Sequence, residues 1–315
     1  MGTETGAAIA ALLERHLNGE MSFDQARVAL DALFTKDLYP QGRPVLAAVT
    51  GWPLTYTRSP ILHNGWCAHY GINGLYLRLP LKPENFERGV RALQALGFAG
   101  LNVTIPHKEA AYALVDRHTH DARRAGAVNT LVFEADGSIE GGCTDGIGYL
   151  DSLREAGVTL PRRALVLGAG GAARAVCAAL LDAGCRVTLA NRTKARAEAL
   201  SAALGGGHVI DWQDWPDHLA EAELLTNTTS LGMTGQDVFD WAGSLTKAAG
   251  SLVVSDIVYV PLETPLLAAA QARGLATVDG LGMLIHQARP GFEAWFGRRP
   301  EVTPGLRARL IETLD

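Results

Sequence analysis

Ile9, Leu12, Leu13 and Leu17 recur three and four residues apart, which predicts an amphipathic helix near the start of the chain. A second helix is predicted to open at Ser22-Phe23-Asp24-Gln25, where the Ser22 hydroxyl and the Gln25 side chain can satisfy each other's backbone amides. Val28, Leu30, Leu33 and Phe34 give it apolar contacts. From Val45 onward the pattern changes to short apolar runs punctuated by Gly and Pro. Val45–Val49, Leu75–Leu79 and Gly100–Thr104 read as strands, with helices predicted from Pro60 and Pro83 between them. Such alternation predicts an α/β domain with parallel strands. A second α/β unit starts near Ala164: strands are predicted at 164–167, 186–190, 222–226, 252–256 and 276–278, and an alanine-rich helix follows the first of them. A helix over 146–156 links the two units, and two more helices, 283–296 and 303–314, close the chain with no strand between them.

The chain has 315 residues, a comfortable length for two domains. With 48% hydrophobic and 19% charged residues it has material for ordinary cores and no compositional sign of disorder. The formal net charge of -5 gives no electrostatic reason to expect nucleic acid as a partner. Cys67, Cys143, Cys177 and Cys185 form no C-x-x-C pair and no zinc-finger spacing, so no metal site is expected and a reducing, cytoplasmic setting fits best. The first residues lack the basic region of a secretory signal, and no apolar run reaches the ~18 residues that span a bilayer, so no membrane partner is expected.

Gly168-Ala169-Gly170-Gly171-Ala172-Ala173 is a variant of the dinucleotide fingerprint. Its context strengthens it, because it follows a predicted strand, opens a predicted helix, and a second predicted strand ends about 20 residues later. Gly168 permits a tight turn, Gly170 lets the backbone approach a pyrophosphate, and Ala173 lets the helix lie close to the sheet. NAD-binding units place Asp or Glu at the end of the second strand to hold the ribose diol. Here that position reads Asn191-Arg192-Thr193-Lys194-Ala195-Arg196, with no carboxylate. Arg192 and Arg196 suit the 2′-phosphate of NADP(H). Asn191 or Thr193 is also placed to cap the next helix.

Lys108 ends the segment Asn102-Val103-Thr104-Ile105-Pro106-His107-Lys108, just beyond a predicted strand, where ligands of open α/β sheets bind. This segment belongs to an ordered set. Gly51-Trp52-Pro53-Leu54, Thr57-Arg58-Ser59-Pro60-Ile61-Leu62-His63-Asn64, Gly126-Ala127-Val128-Asn129-Thr130, Thr144-Asp145-Gly146, the glycine loop, Asn191-Arg192-Thr193 and Asp279-Gly280-Leu281-Gly282-Met283-Leu284 with Gln287 complete it. Together these motifs resemble the shikimate dehydrogenase family over about residues 45–315.

The resemblance implies an NADP-dependent oxidoreductase that reversibly reduces 3-dehydroshikimate to shikimate, a step toward chorismate and the aromatic amino acids. It implies a two-domain α/β fold: a substrate-binding, catalytic domain over 45–147 and 280–315, a Rossmann domain over 148–279, C-terminal helices returning to the first domain, and residues 1–44 as a helical extension outside the pattern. It makes Lys108 and Asp145 the catalytic pair. Thr57 and Ser59 would hold the substrate carboxylate, and Thr104, Asn129, Tyr259 and Gln287 would contact ring hydroxyls or carboxylate. The nicotinamide would lie near Ile257 and Gly280. His107 and His286 read as wall or surface residues, not catalysts. The chemistry is coherent, since hydride addition to a ketone builds negative charge on its oxygen, which an ammonium can stabilise or protonate.

Two positions depart from the family pattern. Thr57 stands where the family has Ser, adding a methyl to the carboxylate pocket, and Cys143 stands where it has Asn, removing an amide next to Asp145. These changes keep a quinate/shikimate or other shikimate-like dehydrogenase open as an alternative. A ligand-sensing homologue without catalysis is a third reading, disfavoured because Lys108 and Asp145 are retained. The helical extension has two roles open to it, a contact in a homodimer or a cover for the first domain.

Overall fold

The computed structural model describes residues 2–54, 57–235 and 238–314. The chain divides into two compact units, Met1–Cys143 with Ala288–Glu301, and Thr144–Gln287 with Val302–Asp315.

Unit 1 runs α1 (Gly2–Leu17), α2 (Phe23–Ala32), β1 (Val45–Thr50), α3 (Ser59–Tyr70), β2 (Gly74–Arg78), α4 (Phe86–Ala95), β3 (Phe98–Val103), α5 (Lys108–Leu114), β4 (Arg117–His118), α6 (His120–Ala125), β5 (Thr130–Phe133) and β6 (Ile139–Gly142). The strands form one sheet in the order β2-β1-β3-β5-β6-β4. β1 lies parallel to both β2 and β3. The expectation of parallel strands stops there: β5 pairs antiparallel with β3 and with β6. The reason is a tight turn, in which the Glu134 amide donates to Ser138 O at 2.9 Å and Gly137 takes φ +84°, so β6 folds straight back on β5 without a crossover helix.

The N-terminal helices belong to this unit. α1 buries Ile9, Leu13 and Leu17 and contacts β2 and α4. Arg88 of α4 caps its end by donating to Leu17 O at 2.8 Å. The Ser22 capping box forms as its sequence suggests, with Gln25 N donating to Ser22 Oγ at 3.2 Å and Ser22 N to Gln25 Oε1 at 2.9 Å. α1 thus packs on the β2 side of the first sheet.

Unit 2 runs α7 (Asp145–Glu155), β7 (Arg163–Leu167), α8 (Gly171–Asp182), β8 (Arg186–Ala190), α9 (Lys194–Leu204), β9 (His208–Ile210), β10 (Leu224–Asn227), α10 (Trp241–Ser244), β11 (Val253–Asp256), α11 (Pro265–Ala272) and β12 (Ala276–Val278). Then come α12 (Gly280–Phe296), whose second half counts with unit 1, and α13 (Pro304–Ile311). Six parallel strands form the order β12-β11-β10-β7-β8-β9, with the sequence direction reversing between β7 and β10. Side chains alternate across this sheet: Ala164, Val166, Val187 and Leu189 enter one core, and Leu165, Leu167, Leu225 and Val254 enter the other. An apolar run such as Ala164–Leu167 is therefore the sequence of a strand covered on both faces. Open sheets of this kind bind ligands beyond the strand carboxyl ends, where the strand order reverses.

Candidate active site

In unit 1 the segments after β1 and β3 leave the sheet at the same edge, because these strands are parallel neighbours. Asn129 reaches that edge from the other direction, immediately before β5. Thr57 Oγ1 accepts the Ser59 amide at 3.3 Å, and Ser59 opens α3 with its side chain buried. Thr104 donates its amide to Thr50 O at 2.9 Å, and its methyl lies where a Cβ on Gly51 would come within 2.5 Å, so only glycine permits this approach. Lys108, half-buried, is the first residue of α5, and its carbonyl accepts the Val128 amide at 3.0 Å. Unit 1 thus brings Thr57, Ser59, Thr104, Lys108 and Asn129 to one sheet edge. His107 is a wall residue: buried, stacked on Phe86 at 4.5 Å, with Nε2 2.7 Å from Leu81 O. Burial lowers its pKa, against the bond to Leu81 that raises it.

In unit 2, Gly168-Ala169-Gly170-Gly171-Ala172 spans the end of β7 and the start of α8. Gly168 has φ +115°, and a Cβ there would stand 2.6 Å from Thr228 Oγ1. Nothing lies within 4 Å of where a Cβ on Gly170 or Gly171 would stand, so a phosphate can approach their backbone. Ala173 is fully buried against the core. The residues present therefore fit a pyrophosphate at the α8 N-terminus. Arg192 and Arg196 are exposed and have no ion-pair partner among the described residues, whereas Lys194 between them is paired with Asp211 at 3.0 Å. The capping role open to Asn191 and Thr193 is not taken up: Thr193 makes no side-chain capping bond, and Asn191 Nδ2 donates to Thr193 O at 2.8 Å. Two exposed guanidiniums beyond β8 are what a dianionic 2′-phosphate requires.

Other residues of the same unit cluster by close backbone approach. A Cβ on Gly280 would come 2.3 Å from Ile257 O, so the two positions assigned to the nicotinamide are neighbours. A Cβ on Gly148 would come 2.6 Å from Gln287 N, and Thr144 Oγ1 donates to Gln287 O at 2.7 Å, which fixes Gln287 beside the first turn of α7. Asp145, buried, is the first residue of that turn. Tyr259, half-buried, lies in the loop after β11. His286 is buried with Nε2 2.9 Å from Glu155, a structural partner.

Sequence reasoning gave no role to Tyr76 or Thr130 in unit 1, nor to Asn227 or Asp256 in unit 2. Tyr76 lies within an apolar run and the other three beside one, and the available signal was that buried polar groups need partners. Asp256, fully buried, accepts from Asn227 Nδ2 at 3.0 Å, from Val258 N at 3.0 Å and from Thr264 Oγ1 at 2.7 Å. It thereby ties β10 to the loop carrying Ile257 and Tyr259. Burial pushes its pKa from 3.8 up to about 6, against the three donors that pull it down. The folded chain then binds a proton more tightly than the unfolded chain between these values, so the group's stabilisation is present at low pH and lost as pH rises through about 6. Urea unfolding at several pH values should show wild type losing on the order of 2 kcal/mol relative to Asp256→Asn from pH 4 to pH 7, with little further change above. A relative gain with rising pH would contradict this assignment.

Among the described residues no His, Cys, Asp and Glu group could hold a metal ion, and no helix is long and apolar enough to cross a membrane. Three family models match: the shikimate dehydrogenase substrate binding domain over residues 49–131, shikimate / quinate 5-dehydrogenase over 154–238, and the shikimate 5'-dehydrogenase C-terminal domain over 280–308. Shikimate dehydrogenase (NADP(+)) of Gluconobacter oxydans is 58% identical over 260 residues, 82% of this chain and 93% of that protein. The chain belongs to the shikimate dehydrogenase family.

The family resemblance read from the ordered motifs is borne out, as is the two-domain α/β fold. Shikimate 5-dehydrogenase from Thermus thermophilus, solved in complex with NADP(H) and shikimate, is 34% identical with a TM-score of 0.76, over 86% of this chain and 99% of that one. Quinate dehydrogenase from Corynebacterium glutamicum, solved in complex with NAD, has the same TM-score at 32% identity, over 86% of this chain and 98% of that one. Fold therefore does not separate members of the family by substrate.

Proposed function

We propose that this shikimate dehydrogenase family member is an NADP-dependent oxidoreductase that reversibly reduces 3-dehydroshikimate to shikimate. The observation that carries the substrate choice is the 58% identity to an NADP-dependent shikimate dehydrogenase across nearly its whole length, against 32% to the quinate enzyme. The pair of exposed arginines after β8, with no carboxylate among residues 191–196, supports NADP(H) over NAD. Four buried cysteines, none in a disulfide among the described residues, suit a reducing compartment, and we place the enzyme in the cytoplasm.

When bound, the reduced dinucleotide supplies the hydride that the ketone carbon accepts. The amides of Gly170, Gly171 and Ala172 at the start of α8 would hold its pyrophosphate, Arg192 and Arg196 would hold its 2′-phosphate, and Ile257 and Gly280 would lie beside its nicotinamide. As the carbonyl π pair moves onto oxygen, Lys108 Nζ holds a proton at that oxygen and stabilises its charge. Asp145 is the carboxylate in the same proton handling. Thr57 and Ser59 bind the substrate carboxylate, and Thr104, Asn129, Tyr259 and Gln287 orient the ring by its oxygens.

Product analysis tests the reading. Incubation of the purified protein with 3-dehydroshikimate and NADPH should give shikimate and NADP in equal amounts. Binding of both compounds without turnover would replace an enzyme with a sensor. For the cofactor, Arg192→Ala with Arg196→Ala should raise the KM for NADP about tenfold or more, since charge-assisted bonds reach roughly 1.5–3 kcal/mol each but solvent screens both exposed guanidiniums. The KM for NAD should change far less. Equal changes with both cofactors would remove these residues from 2′-phosphate recognition.

A further inference from the structure

A line of buried side chains runs behind Asn129 in unit 1, and its donors and acceptors allow one consistent assignment. Asn102 has one end of its amide 3.1 Å from the backbone oxygen of Asn129, which only accepts. That end is therefore the NH2, and Oδ1 faces Tyr76, whose phenol donates its single proton at 2.6 Å. The same NH2 donates to Thr130 Oγ1 at 3.2 Å. The Thr130 proton must then turn to Asn129 Oδ1, 2.9 Å away. With its carbonyl held toward Thr130, Asn129 has its NH2 directed the other way.

The line is rigid. All four side chains are buried, with Tyr76 only 1% exposed. The Tyr76 ring lies flat on His63, with centroids 4.0 Å apart and planes 3° from parallel. Burial holds the Tyr76 pKa well above 10, so its phenol keeps the proton the line depends on. A half-satisfied arrangement would leave buried polar atoms without partners, so reversing any one amide is penalised along the whole line.

We propose that Tyr76 and Thr130 are positioning residues that fix Asn129 as a hydrogen-bond donor, and so select an accepting oxygen on the substrate at that point. This deepens the reading of Asn129 as a substrate residue and rests on it. Neither Tyr76 nor Thr130 need touch the substrate: Thr130 acts through the orientation of one amide, and Tyr76 through that amide and through its hydrogen bond to Ser59.

The test compares Thr130→Val, which keeps the shape and removes the hydroxyl, with Thr130→Ser, which keeps the hydroxyl. Thr130→Val should raise the KM for shikimate about tenfold, the loss of roughly one hydrogen bond. Its kcat and its KM for NADP should stay within about twofold of wild type, and Thr130→Ser should restore the KM for shikimate. Tyr76→Phe keeps the ring on His63 and should raise the same KM, by interrupting the line at its other end and by removing the hydrogen bond between the phenol and Ser59. Equal KM values in the Val and Ser variants, or an unchanged KM in Tyr76→Phe, would overturn the proposal. Asn129→Ala separates the two levels. A raised KM there with no effect of Thr130→Val rejects the positioning role alone, whereas an unchanged KM in Asn129→Ala rejects Asn129 as a substrate residue.

Discussion

Lys108→Ala should lower kcat for shikimate oxidation by ~10²-fold or more, the size expected for loss of acid-base assistance. Hydride transfer builds or discharges negative charge on one substrate oxygen, and a fixed ammonium is worth most where that charge forms. Lys108 is held for such a role by its place at the first position of α5, by partial burial and by the Val128–Lys108 backbone bond. Asp145→Ala should give a loss of the same order. Because neither substitution touches the glycine loop, the KM for NADP should change little in either. Steady-state kinetics on purified, folded variants checks both, and near-wild-type turnover in either would withdraw that residue's catalytic role.

Gly100→Ala should destabilise unit 1 severely, although it adds one methyl group. A Cβ there would stand 2.1 Å from Leu131 O and 2.2 Å from Trp295 Nε1, and these two atoms are themselves hydrogen-bonded at 3.0 Å. The obstacle includes backbone of the antiparallel partner strand, which has nowhere to go without breaking the β3–β5 ladder. Overpacking of a core commonly costs about 1–3 kcal/mol, and here a buried hydrogen bond is lost as well. The sum is on the order of 4 kcal/mol, a large part of a typical domain's stability. Soluble yield and the urea midpoint check it, and a variant as stable as wild type would show the sheet to be far more compliant than this packing implies.

Gly100 also shows what a sequence hides. Its strand was legible from apolar alternation, but nothing in a single chain marks the glycine as the point where Trp295, nearly two hundred residues later, seats itself. The hairpin of β5 and β6 was missed for a related reason, since Gly141 and Gly142 interrupt the periodicity that announces a strand. The second unit was easier to read because each buried parallel strand is a continuous apolar run ending in a loop with its own chemistry. Gly168, Arg192 and Lys108 were visible as site candidates because their residue types are unusual just beyond a strand. Tyr76, Thr130, Asn227 and Asp256 were not, since their significance lies in partners that only the folded chain brings together.

The comparison that tests the account most directly is kcat/KM for shikimate and for quinate, each with NADP and with NAD, on the wild-type protein under one set of conditions. Shikimate with NADP should give the highest value of the four, despite the added methyl of Thr57. Quinate with NAD in first place would contradict both the substrate and the cofactor assigned to this enzyme.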